Sequence, residues 1–211
     1  MKITLIGMSG VGKSFIAKRL EKKGFSRFST DEFIESKLAT ELKKYNYAGL
    51  ADISRWMGQP YEERHTARSK RYLDLERKSM QEIIRLVKHP DKNENIVIDT
   101  TGSLIYLDSS ILSDLAMFTK IIYLETPTEM EEKMYQTFIN DPKPIIWGDI
   151  YSQHADESEK EALARCYPHL LHSRKIKYQR LADVTVNYHE VRKISSSDIT
   201  DYFINLHQNS L

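Results

Sequence analysis

The stretch that most constrains this chain is Gly7-Met-Ser-Gly-Val-Gly-Lys13-Ser14, which fits the pattern G-x-x-x-x-G-K-[ST]. Glycines at this spacing let the backbone curl into a nest whose N–H groups point at phosphate oxygens. Lys13 can neutralise β/γ-phosphate charge, and the Ser14 hydroxyl can hold Mg²⁺. Such a loop needs a strand before it and a helix after it. Lys2–Ile6 is a short apolar run that stops at Gly7, and Ile16 and Leu20 lie four apart within Ser14–Glu21. The positive end of that helix adds to the anion site. The residues expected on a bound nucleotide are therefore Gly10, Val11, Gly12, Lys13, Ser14 and Phe15.

The rest of the chain alternates strands with helices. Phe25–Phe28, Ile96–Asp99, Lys120–Leu124 and Val184–Val186 read as strands. Ile34, Leu38 and Leu42 predict a helix over Asp31–Lys43, because residues four apart share one helix face. Further helical segments are expected at Gly49–Gly58, Tyr61–Lys88, Ser109–Ala116, Thr128–Ile139 and Asp198–Leu206. Ser158–Leu181 reads as helix broken near Pro168. Pro90 and Asn95 bound the third strand upstream. This alternation predicts βαβ units and a parallel sheet covered on both faces. The least regular stretch, Asp141–Glu161, is the candidate lid.

Several segments, in order along the chain, resemble shikimate kinase, in the small-molecule kinase branch of P-loop proteins near the nucleoside monophosphate kinases. Phe28-Ser-Thr-Asp31-Glu-Phe-Ile-Glu35 is similar to the family's F-x-D-x-D-x-x-I-E. Gly58-Gln-Pro-Tyr-Glu-Glu-Arg64 is similar to its G-E-x-x-F-R. Thr100-Thr-Gly102-Ser103 stands for T-G-G-G, Lys143-Pro-Ile-Ile146 for R-P-L-L, and Arg174 to Asp183 matches R-x-x-x-Y-x-x-x-A-D. The resemblance implies a P-loop kinase three-layer α/β sandwich. Its five-stranded parallel sheet would have the order 2-3-1-4-5. The whole of 1–211 would be one kinase domain, with an acceptor-binding helical segment over about 31–88 and a lid over about 141–165. It also implies ATP and Mg²⁺ as cofactors.

The departures from the family pattern fall on the acceptor side. Ser29 replaces the first carboxylate, Gly102 alone remains of the triple glycine, and Arg64 lies one place beyond the expected arginine, which falls on Glu63. Pro168 stands six residues before Arg174, where the resemblance expects a carboxylate-binding arginine, and Arg165 is the nearby substitute. This implies a kinase whose acceptor need not be shikimate.

Four side chains are expected to carry the chemistry. Lys13 supports the transferring phosphate. Asp31 would orient the acceptor hydroxyl and take its proton, or equally cap its helix. Asp99 ends the apolar run Ile96-Val-Ile and, with Ser14, would hold the metal. Lys143 would close from the lid. Arg64 and Arg68, one helical turn apart, could clamp an anionic acceptor, with Gly102 and Arg165 completing that side. Arg174 is expected on the nucleotide phosphates.

Composition narrows the alternatives. Lys+Arg is 31 against Asp+Glu 30, a balance that argues against nucleic acid or an anionic membrane as the main partner. That balance hides unlike blocks, since Ala162–Ala182 holds five Lys/Arg and no acid. One cysteine, Cys166, suits a reducing cytoplasm. No apolar run reaches the ~20 residues of a membrane span. The expected partners are ATP and a small-molecule acceptor, with the chain a monomer or weak dimer. Two rival readings stay open: a nucleoside or nucleotide kinase, and a nucleotide-binding regulatory or interaction module without acceptor chemistry.

Overall fold

The computed structural model describes residues 1–88, 95–195 and 197–208. Pro90, read as part of the break before the third strand, lies outside them. Strand β1 (Lys2–Ile6) pairs in parallel with β3 (Ile96–Asp99) on one side and β4 (Lys120–Glu125) on the other. β2 (Ser26–Ser29) pairs with β3, and β5 (Val184–Asn187) pairs with β4. The order is β2-β3-β1-β4-β5, all parallel, as the family resemblance implies. The register sets Leu5, Asp99 and Ser29 side by side across three strands.

Alternate strand residues face opposite ways, so each sheet face builds its own core. Ile6, Ile98 and Ile121 pack with residues of helices α4 (Glu63–Lys88), α5 (Ser109–Phe118) and α7 (Glu159–Leu181), among them Ile83, Leu115 and Tyr178. Leu5, Val97 and Ile122 pack on the other face with Ile16 and Leu20 of α1 (Lys13–Glu21) and Phe203 of α9 (Ile199–Gln208). A third cluster lies beyond the C-terminal strand ends. There Ile34, Leu38 and Leu42 of α2 (Thr30–Lys43) meet Ile53, Trp56 and Met57 of α3 (Gly49–Met57) and Tyr72 of α4.

A fourth, smaller cluster anchors the segment that follows α6 (Thr128–Asn140). Phe138 lies flat on Tyr167, with ring centroids 3.9 Å apart, and both meet the edge of Trp147. The chain from 141 to 158 is thereby tied to α7 rather than left loose. Ser158 opens α7 with a capping box, accepting from the Glu161 amide at 3.3 Å while Glu161 accepts from the Ser158 amide. These reciprocal bonds satisfy two of the amides left free at a helix start.

Two expectations fail locally. α7 is continuous through Pro168. Proline removes one helical hydrogen bond, but buried Leu163, Cys166 and Leu170 before and after it pack into the fourth cluster, and that packing outweighs the local preference. The turn Leu104–Tyr106 and the short helix α8 (Tyr188–Lys193) were not visible in the sequence pattern, being too short to show a period. No helix of the described residues is long and apolar enough to cross a membrane.

Candidate active site

The glycine loop after β1 and the ends of β2 and β3 meet at one edge of the sheet, where the chain connections diverge from β1. Gly10 and Gly12 have φ of 81° and 105°, backbone that L side chains rarely adopt. Lys13 follows at the start of α1. Its Nζ turns back to donate to the Gly7 carbonyl at 2.8 Å and the Met8 carbonyl at 2.9 Å. Burial brings the Lys13 ammonium down to about 8, while the charges of Asp99 and Asp31 oppose the shift. Arg174 adds to the lowering. Two buried cations, Lys13 and Arg174, thus repel each other at the head of the loop, and an anion between them would relieve that repulsion.

A cavity of about 420 Å³ opens from this loop. Gly10, Gly12, Lys13, Ser14, Phe15, Asp31, Gly102 and Arg174 all line it. Gly102 is closely packed: a Cβ there would lie 3.3 Å from the Ser9 amide nitrogen and 3.5 Å from Arg174 Nη1. Phe15 is half exposed and lies beneath the guanidinium groups of Arg19 and Arg192. Val11 contributes differently from the expectation. Its side chain is buried in the core with Leu5 and Ile16, which fixes the loop on the sheet without lining the cavity.

Asp99 is 2% exposed and sits under the loop. Burial raises its carboxyl above the usual range, against a hydrogen bond from Ser14 and the charges of Lys13 and Arg27. Arg27 Nη1 stands 3.6 Å away. Oδ1 of Asp99 is buried without a hydrogen-bond partner. An orphaned carboxylate oxygen beside a serine hydroxyl is a donor set that fits Mg²⁺. That ion keeps several waters and takes one or two carboxylates together with phosphate oxygens. Among the described residues there is no cluster of three or more His, Cys, Asp or Glu for a closed metal site. Asp31, in the first turn of α2, is likewise pushed up by burial, with Lys13 opposing. Ser29, not Asp31, caps α2, accepting from the Glu32 amide at 3.4 Å.

The expected acceptor clamp is not assembled. Arg64 pairs with Glu62 at 2.6 Å and packs over Gly58. Arg68 donates to the Trp56 carbonyl and to the Tyr45 hydroxyl, with its guanidinium over both rings. Arg165 is held in a two-point pair by Glu157, at 2.7 Å to each oxygen, and also donates to Ser152 O. Each arginine found a nearer partner, and none lines the cavity. Lys143 is exposed, while its neighbours Pro144, Ile145 and Ile146 line the cavity instead.

What sequence reasoning missed lies on α4. Glu76 is fully buried, and burial pushes its carboxyl up to about 7 against hydrogen bonds from Ser103 and Thr101. The signal was an acid in step with buried Tyr72, Met80, Ile83 and Val87, masked by the charged residues around it. Apolar Leu50, Ile53 and Met57 of α3 were missed as well.

No protein-family model matches the chain, and no curated protein matches it. Among solved structures, shikimate kinase from Aquifex aeolicus is 16% identical, with coverage of 100% of this chain and 99% of that one and a TM-score of 0.57. Shikimate kinase from Acinetobacter baumannii, solved in complex with shikimate, is 20% identical over 98% and 92%, with a TM-score of 0.55. Dephospho-CoA kinase from Campylobacter jejuni is 13% identical over 99% and 96%, at 0.52. The chain thus has an α/β P-loop kinase-like fold. It shares that fold with these shikimate kinases and with the dephospho-CoA kinase.

Proposed function

We propose that the chain is a cytoplasmic, ATP-dependent phosphotransferase that moves the γ-phosphate to a hydroxyl of a small polar metabolite. The observation that carries this reading is the convergence of Lys13, Ser14, Asp31 and Arg174 around one cavity at the glycine loop, with Asp99 hydrogen-bonded to Ser14. Loop amides, Lys13 and Arg174 would take the phosphates and the charge that develops on transfer. Ser14 and Asp99 would hold Mg²⁺, which when bound supplies charge neutralisation to the phosphates. Asp31 would orient the acceptor hydroxyl and take its proton. The segment 141–158 would serve as the lid that excludes water from the phosphates. The whole chain would act as one domain, as a monomer or weak dimer, with no nucleic-acid or membrane partner.

The test is acceptor-dependent ADP release across a panel of hydroxylated acids, sugars, polyols and nucleosides. Some acceptor should raise release above the background ATPase. If only nucleosides or monophosphates do so, the nucleoside or nucleotide kinase reading replaces this one. If ATP binds and no acceptor stimulates release, the chain is a nucleotide-binding module. Lys13→Ala should abolish turnover.

A further inference from the structure

One face of helix α3 opens onto the cavity. Leu50, Ile53, Ser54 and Met57 all line it, and their spacing of three and four residues puts them on a single helix face. All but Ser54 are apolar. Ile53 and Met57 are buried, whereas Leu50 is 45% exposed at the start of the row. An exposed leucine alone means little, but this one continues a row that lines a cavity. The charged residues of α3 stay off that face: Arg55 pairs with Asp52 at 3.2 Å, and neither lines the cavity. Ile53 and Met57 pack in one cluster with Tyr72 and Ile146, which line the cavity too. The apolar wall is therefore continuous across α3, α4 and the 141–158 segment. It joins the polar wall at two seams. The Tyr72 hydroxyl is hydrogen-bonded with Ser103 and Thr101, and the Ile146 carbonyl accepts from Arg174. Asp31 and Lys13 line the polar side. Among the described residues, no lysine or arginine of α3 or α4 lines the cavity.

We infer that the acceptor is amphipathic: its reacting hydroxyl lies by Asp31 and Lys13, and a hydrocarbon or aromatic body lies on the α3 face against Leu50, Ile53 and Met57. The inference rests on the phosphotransferase reading, which puts the acceptor beside the glycine loop. It narrows the small polar metabolite of that reading to one with an apolar side. Contact with this face takes apolar surface of both partners out of water, which favours binding in proportion to the area covered. A sugar or polyol hydroxylated all round would instead set hydroxyls against leucine, isoleucine and methionine. Ser54 offers a partner to one of them. The others would lose their water with no bond in return.

The experiment compares two probes on the full chain that share a ring and differ in its polarity: cyclohexanediol, and inositol, which carries a hydroxyl on every ring carbon. Binding is followed by NMR titration of the Ile53 and Met57 methyl resonances in the presence of a non-hydrolysable ATP analogue. The diol should move both resonances and bind about tenfold tighter than inositol, the scale of a desolvated hydroxyl left unpaired. In Leu50→Ser the ratio should fall to about threefold. Leu50 is exposed, so the variant keeps its core, and a ratio of two affinities does not move with a loss of stability alone. Equal binding of the probes, a preference for inositol, no binding of either, unmoved Ile53 and Met57 resonances, or an unchanged ratio in Leu50→Ser overturns the inference. ADP release with ATP is read separately over amphipathic alcohols and polyols. If the diol preference holds and no alcohol raises release, the phosphotransferase reading falls and the apolar site stands. If a polyol raises release while the probes bind equally, that reading stands and the amphipathic acceptor falls.

Discussion

Arg174 donates through Nη2 to the Ile146 carbonyl oxygen at 2.6 Å, both groups being buried. A guanidinium close to Lys13 is therefore also one fastening of the 141–158 segment. Phosphate binding and the position of that segment are joined in one side chain.

Arg174→Ala should thus have two effects at once. The Ile146 carbonyl loses its buried donor, a loss of about 1–3 kcal/mol in stability. The affinity for the ATP analogue should fall roughly tenfold or more, since a charge-assisted contact to phosphate goes too. Arg174→Lys should restore part of the nucleotide affinity without refastening the segment, because an ammonium lacks the planar fork. Limited proteolysis across 141–158 reads the second effect. Unchanged cleavage in both variants would sink the linkage.

The site residues also set a pH profile for stability. Glu76 is held up to about 7 in the fold, above its ordinary 4.5. Between those values the folded state keeps a proton that the unfolded chain has released, so stability falls as pH rises from about 4.5 to about 7. Burial raises Asp31 and Asp99 as well, with the same sign. Lys13 acts in the opposite sense. Its ordinary 10.5 is brought down to about 8, so stability rises between about 8 and 10.5, where the unfolded chain binds the extra proton. Urea unfolding should show a minimum between the two windows. Glu76→Gln should flatten the acid limb in part, and an unchanged acid limb in that variant would rule out its role.

The metal pair gives a separate expectation. Asp99→Asn keeps the shape but removes the charge beside Ser14. Binding of the ATP analogue without Mg²⁺ should change little. The gain that Mg²⁺ gives to wild-type binding should shrink by roughly tenfold. Ser14→Ala should act in the same direction. A full Mg²⁺ gain in both variants would remove Asp99 and Ser14 from the metal site.

These residues differ in how plainly the sequence shows them, and the reason is physical. Asp99 was legible because an acid ending an apolar strand falls at the sheet edge whatever the rest of the chain does. The parallel sheet was legible because strands alternating with helices form right-handed βαβ units, whereas its strand order came only from the family resemblance. Arg64, Arg68 and Arg165 were misread because spacing shows which residues share a face, not which partner reaches them first. Glu62, the Trp56 carbonyl and Glu157 did so. Glu76 was hidden for the converse reason. Its partners, Thr101 and Ser103, lie 25 and 27 residues on, across a strand. The aromatic cluster of Phe138, Trp147 and Tyr167 was likewise out of reach, since it brings α6, the 141–158 segment and α7 together.

Pro168 offers the last test, of packing against local preference. It sits inside α7, where its missing N–H leaves the Ala164 carbonyl without the usual helical donor. The helix persists because residues on both sides of the proline are buried, Leu163 and Cys166 before it and Leu170 and Arg174 after it. If packing alone carries the helix through, Pro168→Ala should restore a backbone bond, lose no buried contact and stabilise the protein by about 1–3 kcal/mol. In a chain of this size that is a rise of roughly 2–4 °C in Tm for each kcal/mol. The unfolded chain regains some freedom in the variant, which offsets part of the gain. A lower Tm would mean instead that the proline shapes α7, and through it the placement of Arg174, six residues on. In that event nucleotide affinity would fall along with stability.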